Sequence, residues 1–156
     1  NLPSFCFPNQ LFLVDDEIVG YKSKFITPDY FHKNYMFSPD FISYINFDRL
    51  IGAYYILYED VERLTDKGIK IYDLGYNLAF TGQKLVGYDT CDYSYNSKND
   101  NLGCLDSAMK APFAFFVSDL PENVKAPNTN LDVENYLREV ERLYKNGDSP
   151  KKHIKK

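Results

Sequence analysis

Hydrophobic side chains recur at steps of three and four residues between Phe47 and Leu64, and this spacing predicts a helix. Because an α-helix turns once in about 3.6 residues, such positions share one face of it. Ser38 is suited to cap the beginning, and Gly68 is suited to the left-handed position beyond the end. We therefore predict a long central helix over about residues 38–67, with its apolar face formed by Phe47, Leu50, Tyr54, Leu57, Val61 and Leu64.

A second helical pattern begins at Asn130 and stops before Gly147. Its apolar positions are Leu131, Tyr136 or Leu137, Val140, Leu143 and Tyr144. Charged side chains fill most of the remaining positions, which is typical of an amphipathic helix docked on the chain's own core or on a partner. We predict this C-terminal helix over about residues 130–146.

The remaining apolar segments are too short for helices of this kind. Three of them are typical of strands: residues 11–14, 69–71 and 112–117, of which the first and last are expected to be buried. Residues 76–80 and 84–88 flank Gly82, which can adopt a positive φ, and this favours a hairpin. Residues 89–103 are polar and predict a long loop.

These elements predict an α+β fold in a single domain spanning residues 1–156. A small antiparallel sheet packs against the long central helix and the C-terminal helix. Residues 1–37 are expected to form an irregular, aromatic-rich N-terminal arm, and residues 148–156 a basic C-terminal tail.

The composition is dominated by 14 Tyr and 12 Phe, with no Trp. Tyrosine joins a large apolar ring to a hydroxyl group and therefore suits protein–protein contacts, although biased composition explains the same excess. The net charge is -4, and the last six residues hold four of the 18 basic side chains. The acidic body argues against nucleic-acid binding, whereas the tail suits peripheral contact with an anionic surface.

Oxygen-bearing side chains are dense between Asp89 and Asp106, in a pattern that suits a hard cation such as Ca²⁺. They are Asp89, Asp92, Asn96, Asn99, Asp100, Asn101 and Asp106. The spacing does not match an EF-hand loop, and solvated turn residues are the simpler interpretation. The acidic turn at residues 15–17 has the same two interpretations, a metal site or a plain turn.

The sequence contains no known catalytic motif. A cysteine nucleophile would require Cys91 to lie beside His32 as its base, with Asp89 or Asp92 orienting the histidine. Cys91 and Cys104 could instead form a disulfide, which would leave Cys6 unpaired. We therefore predict no catalytic residue, no metal and no cofactor, and that the protein is not an enzyme.

The segment Asn46-Phe47-Asp48-Arg49-Leu50-Ile51-Gly52-Ala53-Tyr54-Tyr55 is similar to the opening motif of the lipocalins. Tyr54 stands where that family has its characteristic Trp, and about a hundred residues follow the motif. The resemblance implies an eight-stranded barrel that binds a small ligand, whereas the helical spacing of the same residues predicts the α+β fold.

These observations favour a non-catalytic accessory or scaffolding subunit of a multiprotein assembly. The expected partner-contact residues are Phe5, Phe7, Tyr30, Phe31, Tyr35, Tyr136 and Tyr144. We expect Asn1 to mark a processed start, which together with the few cysteines favours an organelle such as the mitochondrion, including a respiratory-chain complex. The alternatives are a small-ligand binding module and a small carboxylate- or metal-dependent hydrolase.

Overall fold

The structure is a computed structural model that describes residues 2–26, 37, 42, 44–95, 101–113 and 130–145. The helices with bounds among these residues are α1 (Phe47–Asp66), α2 (Leu102–Lys110) and α3 (Asn130–Lys145). Its strands are β1 (Pro8–Val14), β2 (Glu17–Ser23), β3 (Ile69–Lys70), β4 (Leu78–Phe80), β5 (Leu85–Gly87) and β6 (Ser94–Tyr95). The predicted α+β fold, with a long central helix and a C-terminal helix, is confirmed.

Helix α1 forms the centre of the core, and every residue of its predicted apolar face is buried. It begins at Phe47, because Asn46 caps it by accepting a hydrogen bond from Arg49 N at 3.2 Å. The predicted start at Ser38 is therefore wrong for this helix, and Ser38 itself lies outside the described residues. Gly68, with φ of 73°, terminates the helix in the left-handed conformation as predicted.

Helix α3 lies against α1, and Val133, Tyr136, Leu137 and Val140 form its buried face. The Tyr55 hydroxyl of α1 donates a hydrogen bond of 2.8 Å to Glu134, and Arg138 pairs with Asp48. The C-terminal helix therefore docks on this chain's own core.

The strands form three separate two-stranded antiparallel ribbons, β1–β2, β3–β6 and β4–β5. The predicted hairpin corresponds to β4–β5, where Gly82 has a φ of 79°. The ribbon β1–β2 lies in the arm that was expected to be irregular. Its residues 11–14 are exposed rather than buried, because no other layer covers them within the described part of the chain.

Two further segments differ from their predictions. The expected loop at residues 89–103 contains a 3₁₀ turn (Thr90–Asp92), strand β6 and the start of α2, while residues 96–100 lie outside the description. Residues 111–113 form a 3₁₀ turn instead of the start of a buried strand. Pro112 has no N–H to pair within a sheet, and its carbonyl accepts from Phe37 N at 2.6 Å.

The side chain of Asn101 connects three elements of the body. Its Oδ1 accepts from Ile71 N at 2.9 Å, and its Nδ2 donates to Thr65 Oγ1 at 2.8 Å and to Ile69 O at 3.0 Å. Asn101 is almost fully buried, so these bonds satisfy groups that water does not reach. One amide therefore ties the end of α1 and strand β3 to the beginning of α2.

The segment resembling the lipocalin motif forms the cap and first half of α1. A motif that would begin a barrel strand is thus helical, and the barrel that the resemblance implied is wrong for this chain.

Candidate functional site

The ribbon β1–β2 is the longest in the described structure and projects from the body. Asp15 and Asp16 form its turn with φ of 50° and 64°, a conformation that matches the twist of a two-residue hairpin. Asp tolerates this left-handed region better than most residues because its side chain hydrogen-bonds locally. The strands pair from Val14 with Glu17 to Pro8 with Ser23.

Apolar side chains cover both faces of this ribbon. Successive residues of a strand point to opposite faces, so the run from Leu11 to Val14 places apolar groups on each. Seven apolar side chains of the ribbon are between 44% and 64% exposed: Leu11, Phe12, Leu13, Val14, Ile18, Val19 and Tyr21. Isolated apolar residues are common on protein surfaces, but a contiguous group of this kind marks an interaction site.

The outer edges of β1 and β2 pair with no other strand in the described structure. An unpaired edge presents backbone N–H and C=O groups that a further strand can bind. The ribbon therefore offers both an apolar surface and hydrogen-bonding edges, the combination used when a partner adds a strand.

The base of the ribbon is fixed to the body by the preceding segment. Ser4 N donates at 2.8 Å to the carboxylate of Asp60, a fully buried residue of α1. Cys6 N donates at 2.9 Å to Gly87 O, which joins the segment to β5. On the second strand, the Cys91 thiol near the Tyr21 hydroxyl raises the pKa of Tyr21.

The predicted partner-contact residues lie in different environments. Phe5 is 8% exposed and Tyr136 is 3% exposed, so both belong to the chain's own core, where the Tyr136 ring meets that of Phe113 edge-on. Phe7 is 37% exposed and contacts Phe5 and Tyr93 at the base of the ribbon. Tyr30, Phe31 and Tyr35 and the side chain of Tyr144 lie outside the described residues.

Three of the residues predicted as possible cation ligands make separate contacts within the chain. Asn101 makes the structural bonds described above, Asp106 pairs with Lys110 at 2.8 Å, and Asp89 accepts from the Cys91 thiol at 3.3 Å. Among the described residues, no three His, Cys, Asp or Glu side chains gather as they would around a metal ion.

The three cysteines form no disulfide bond. Cys6, Cys91 and Cys104 are all free thiols, so the considered Cys91–Cys104 disulfide is absent. His32, the partner considered for a Cys91 nucleophile, lies outside the described residues. Burial raises the pKa of Cys104, whose thiol donates to Ile71 O at 2.8 Å.

Two other carboxylates have left-handed backbone conformations. Asp73 has a φ of 51° and directly precedes the 3₁₀ turn before β4. Asp89 has a φ of 54° and directly precedes the 3₁₀ turn after β5. Non-glycine residues held in this region cluster at functional sites. Burial raises the pKa of Tyr93, as do the nearby charges of Cys104, Asp89 and Asp73, and its buried hydroxyl has no hydrogen-bond partner in the described structure.

The exposure of the ribbon is not predicted from the sequence, although a signal for the hairpin itself is present there. Two apolar runs separated by two residues that tolerate positive φ are typical of a hairpin. The Asp15-Asp16 pair meets that condition, but exposure on both faces is a property of tertiary structure. The pattern of residues 11–14 is the same in a buried strand and in an exposed one.

Comparison with known proteins identifies no relative: no protein-family model, no curated protein and no solved structure matches the chain. Within the described residues, none of the helices has both the length and the apolarity that crossing a membrane requires.

Proposed function

We propose that this chain is a non-catalytic accessory or scaffolding subunit that binds another protein through the ribbon β1–β2. The observation that carries the proposal is the exposure of apolar side chains on both faces of a ribbon whose outer edges pair with no other described strand. Burying apolar surface is worth roughly 25 cal/mol per Å², so a partner that covers this ribbon gains substantial free energy.

The charges of the ribbon favour a protein partner over a phosphate-rich one. Its tip carries Asp15, Asp16 and Glu17, whereas Lys22 lies nearer the base. Three carboxylates at the most projecting point repel nucleic-acid backbones and anionic lipid surfaces. A protein with an exposed strand edge, an apolar surface and basic groups near the acidic tip fits all three properties.

The experiment compares the full chain with a double variant of one cross-strand pair, Leu13→Ser with Ile18→Ser. The tagged chain is isolated from its source cells, and the native mass of the particle is measured by size exclusion with light scattering. We expect the wild type in a particle larger than the monomer and the double variant as a monomer, because the variant loses apolar surface at the interface.

Leu102→Ser is the matched control, since Leu102 is 55% exposed and Leu13 is 57% exposed. Leu102 begins α2 and lies outside the ribbon, so this variant should keep the mass of the wild-type particle. A wild-type chain that is monomeric in these isolates contradicts the proposal, as does a double variant with unchanged mass.

A second candidate function is a carboxylate- or metal-dependent hydrolase centred on Asp73 and Asp89. Their left-handed backbones and their shared proximity to Tyr93 favour it. Mg²⁺ commonly binds to one or two carboxylates while water and substrate oxygens complete its coordination. Under this hypothesis, Asp73→Asn and Asp89→Asn each weaken Mn²⁺ or Mg²⁺ binding measured by calorimetry, whereas Asp106→Asn does not. Absence of binding to the wild type contradicts it.

A further inference from the structure

A cleft of 380 Å³ lies where the N-terminal segment, the chain leaving β2 and the turn of β4–β5 meet. Its volume falls within the range of about 300 to 1,000 Å³ that is typical of small-molecule sites. Phe5, Phe7 and Phe25 contribute aromatic rings to the wall, and Phe25 is 83% exposed. The ring of Phe25 therefore has apolar area that a bound molecule could cover.

Among the described residues that line the cleft, Lys24 and Lys84 are charged and none is Asp or Glu. Neither lysine forms an ion pair within the described part of the chain. The described lining therefore carries two positive charges and no negative one. The electrostatics of the cleft therefore favour a negatively charged occupant.

We infer that this cleft binds a small organic acid with an apolar body, in which Lys24 and Lys84 bind the carboxylate and the phenylalanine rings contact the hydrocarbon part. The apolar wall selects for a ligand whose surface is mainly hydrocarbon, which a free inorganic anion lacks. A hydrogen bond between an ammonium and a carboxylate is stronger than a neutral one, so the charge supplies both orientation and selectivity.

Calorimetric titration of the full chain with octanoate tests this inference, with 1-octanol and octylamine as probes of the same chain length. We expect octanoate to bind, and both other molecules to bind at least about tenfold more weakly, because they lack the negative charge. Lys24→Gln and Lys84→Gln should each weaken octanoate binding about tenfold. Lys22→Gln is the matched control and should leave it unchanged, since Lys22 does not line the cleft.

Alkylation of Cys6 gives a second readout that does not rely on calorimetry. It lines the cleft, and its thiol donates to Lys24 O at 3.2 Å. Octanoate should slow alkylation of Cys6 by iodoacetamide, whereas exposed Cys91, which is not in the lining, should react at an unchanged rate.

The inference is overturned if octanoate does not bind, if 1-octanol binds equally well, or if Lys24→Gln and Lys84→Gln leave octanoate binding unchanged. Equal protection of Cys6 and Cys91, or protection of neither, also overturns it. The double variant of Leu13 and Ile18 should bind octanoate normally, because neither residue lines the cleft. This result separates failure of the cleft from failure of the proposed protein interface.

Discussion

The ribbons β4–β5 and β1–β2 have similar apolar sequences but opposite relations to the core. The strands of β4–β5 are three residues each, and Phe80, Leu85 and Val86 are buried. The strands of β1–β2 are seven residues each, yet their apolar side chains are largely exposed. The shorter ribbon is thus part of the core, and the longer one is not.

This difference separates two roles of an apolar strand. An isolated two-stranded hairpin is at best marginally stable in water, and β4–β5 persists because it packs beside α1 and the N-terminal segment. The strands of β1–β2 contact mainly each other. Their apolar side chains contribute little to this chain's own stability, which is what a surface reserved for another protein requires.

The largest loss of stability should follow from removing the amide that holds the body together. Asn101→Ala deletes three hydrogen bonds and leaves Ile71 N–H and Ile69 C=O buried without that partner. We expect the free energy of unfolding to fall by about 3 to 4 kcal/mol, measured by urea denaturation. No residue of β1–β2 takes part in these three hydrogen bonds, so the predicted loss of stability is independent of that ribbon.

Asn77→Ala is the control for Asn101→Ala. Its side chain makes one exposed bond of 3.2 Å to Asp73 O, so its loss should cost about 1 kcal/mol or less. Equal effects of the two substitutions would show that the buried network around Asn101 is not what joins α1, β3 and α2.

Gly75 should also be sensitive to substitution, because it lies where the turn before β4 touches α2. A Cβ at Gly75 would lie 2.4 Å from the backbone oxygen of Ser107 and 2.6 Å from its carbonyl carbon. Gly75→Ala must therefore displace α2, and we expect a loss of about 2 to 3 kcal/mol in urea denaturation.

Gly52→Ala provides a control of opposite sign. Gly52 lies within α1, and among the described residues no atom outside the adjoining helix backbone lies within 4 Å of a Cβ built there. Alanine is favoured over glycine inside a helix, so this variant should be about 0.5 to 1 kcal/mol more stable than the wild type. Destabilisation by both substitutions would contradict the packing described for Gly75.

A smaller loss in the free energy of unfolding should appear at alkaline pH and arise from Tyr93. The ring of Tyr93 contacts Phe5 and Phe7 at the base of the long ribbon. Burial raises its pKa above the ordinary value of 10.0, so the folded chain keeps a proton that the unfolded chain releases. Its contribution to stability is full below pH 10 and is lost as pH rises further. At pH 11 the loss should be about 1 kcal/mol.

Tyr93→Phe isolates this contribution, because the Tyr93 hydroxyl has no hydrogen-bond partner in the described structure. The variant should match the wild type in urea denaturation at pH 8 and exceed it at pH 11. Parallel declines of the two proteins between these pH values would show that Tyr93 does not titrate as its environment indicates.

The sequence was sufficient to predict what helical periodicity determines. The face from Phe47 to Leu64, the end at Gly68 and the C-terminal helix were all predictable, because each depends on local spacing and local backbone preference. The start at Asn46 could also have been found, since Asn caps as readily as Ser and Asp48 follows it in the first turn. A competing capping pattern at Ser38 obscured it.

The proposed interaction surface and the cleft depend on contacts between residues distant in sequence. Lys24 and Lys84 are separated by 60 positions, and no periodicity relates them. From the sequence, the amide of Asn101 suits both a cation ligand and a structural hydrogen-bonding group. Its structural role depends on the positions of Ile69 and Ile71, which the sequence alone does not give. The exposure of Leu11 to Val14 likewise depends on what the rest of the fold leaves uncovered.

The smallest effect should come from shortening a leucine in the long ribbon, in contrast with the same change in the short one. Leu13 is 57% exposed, so Leu13→Ala should change the free energy of unfolding by less than about 0.5 kcal/mol. Leu85 is 0% exposed, so Leu85→Ala leaves a cavity and should cost about 3 kcal/mol. Both are measured by urea denaturation of the isolated full chain. A cost at Leu13 close to that at Leu85 would mean that this chain covers its own ribbon, and the surface would then be closed to a partner.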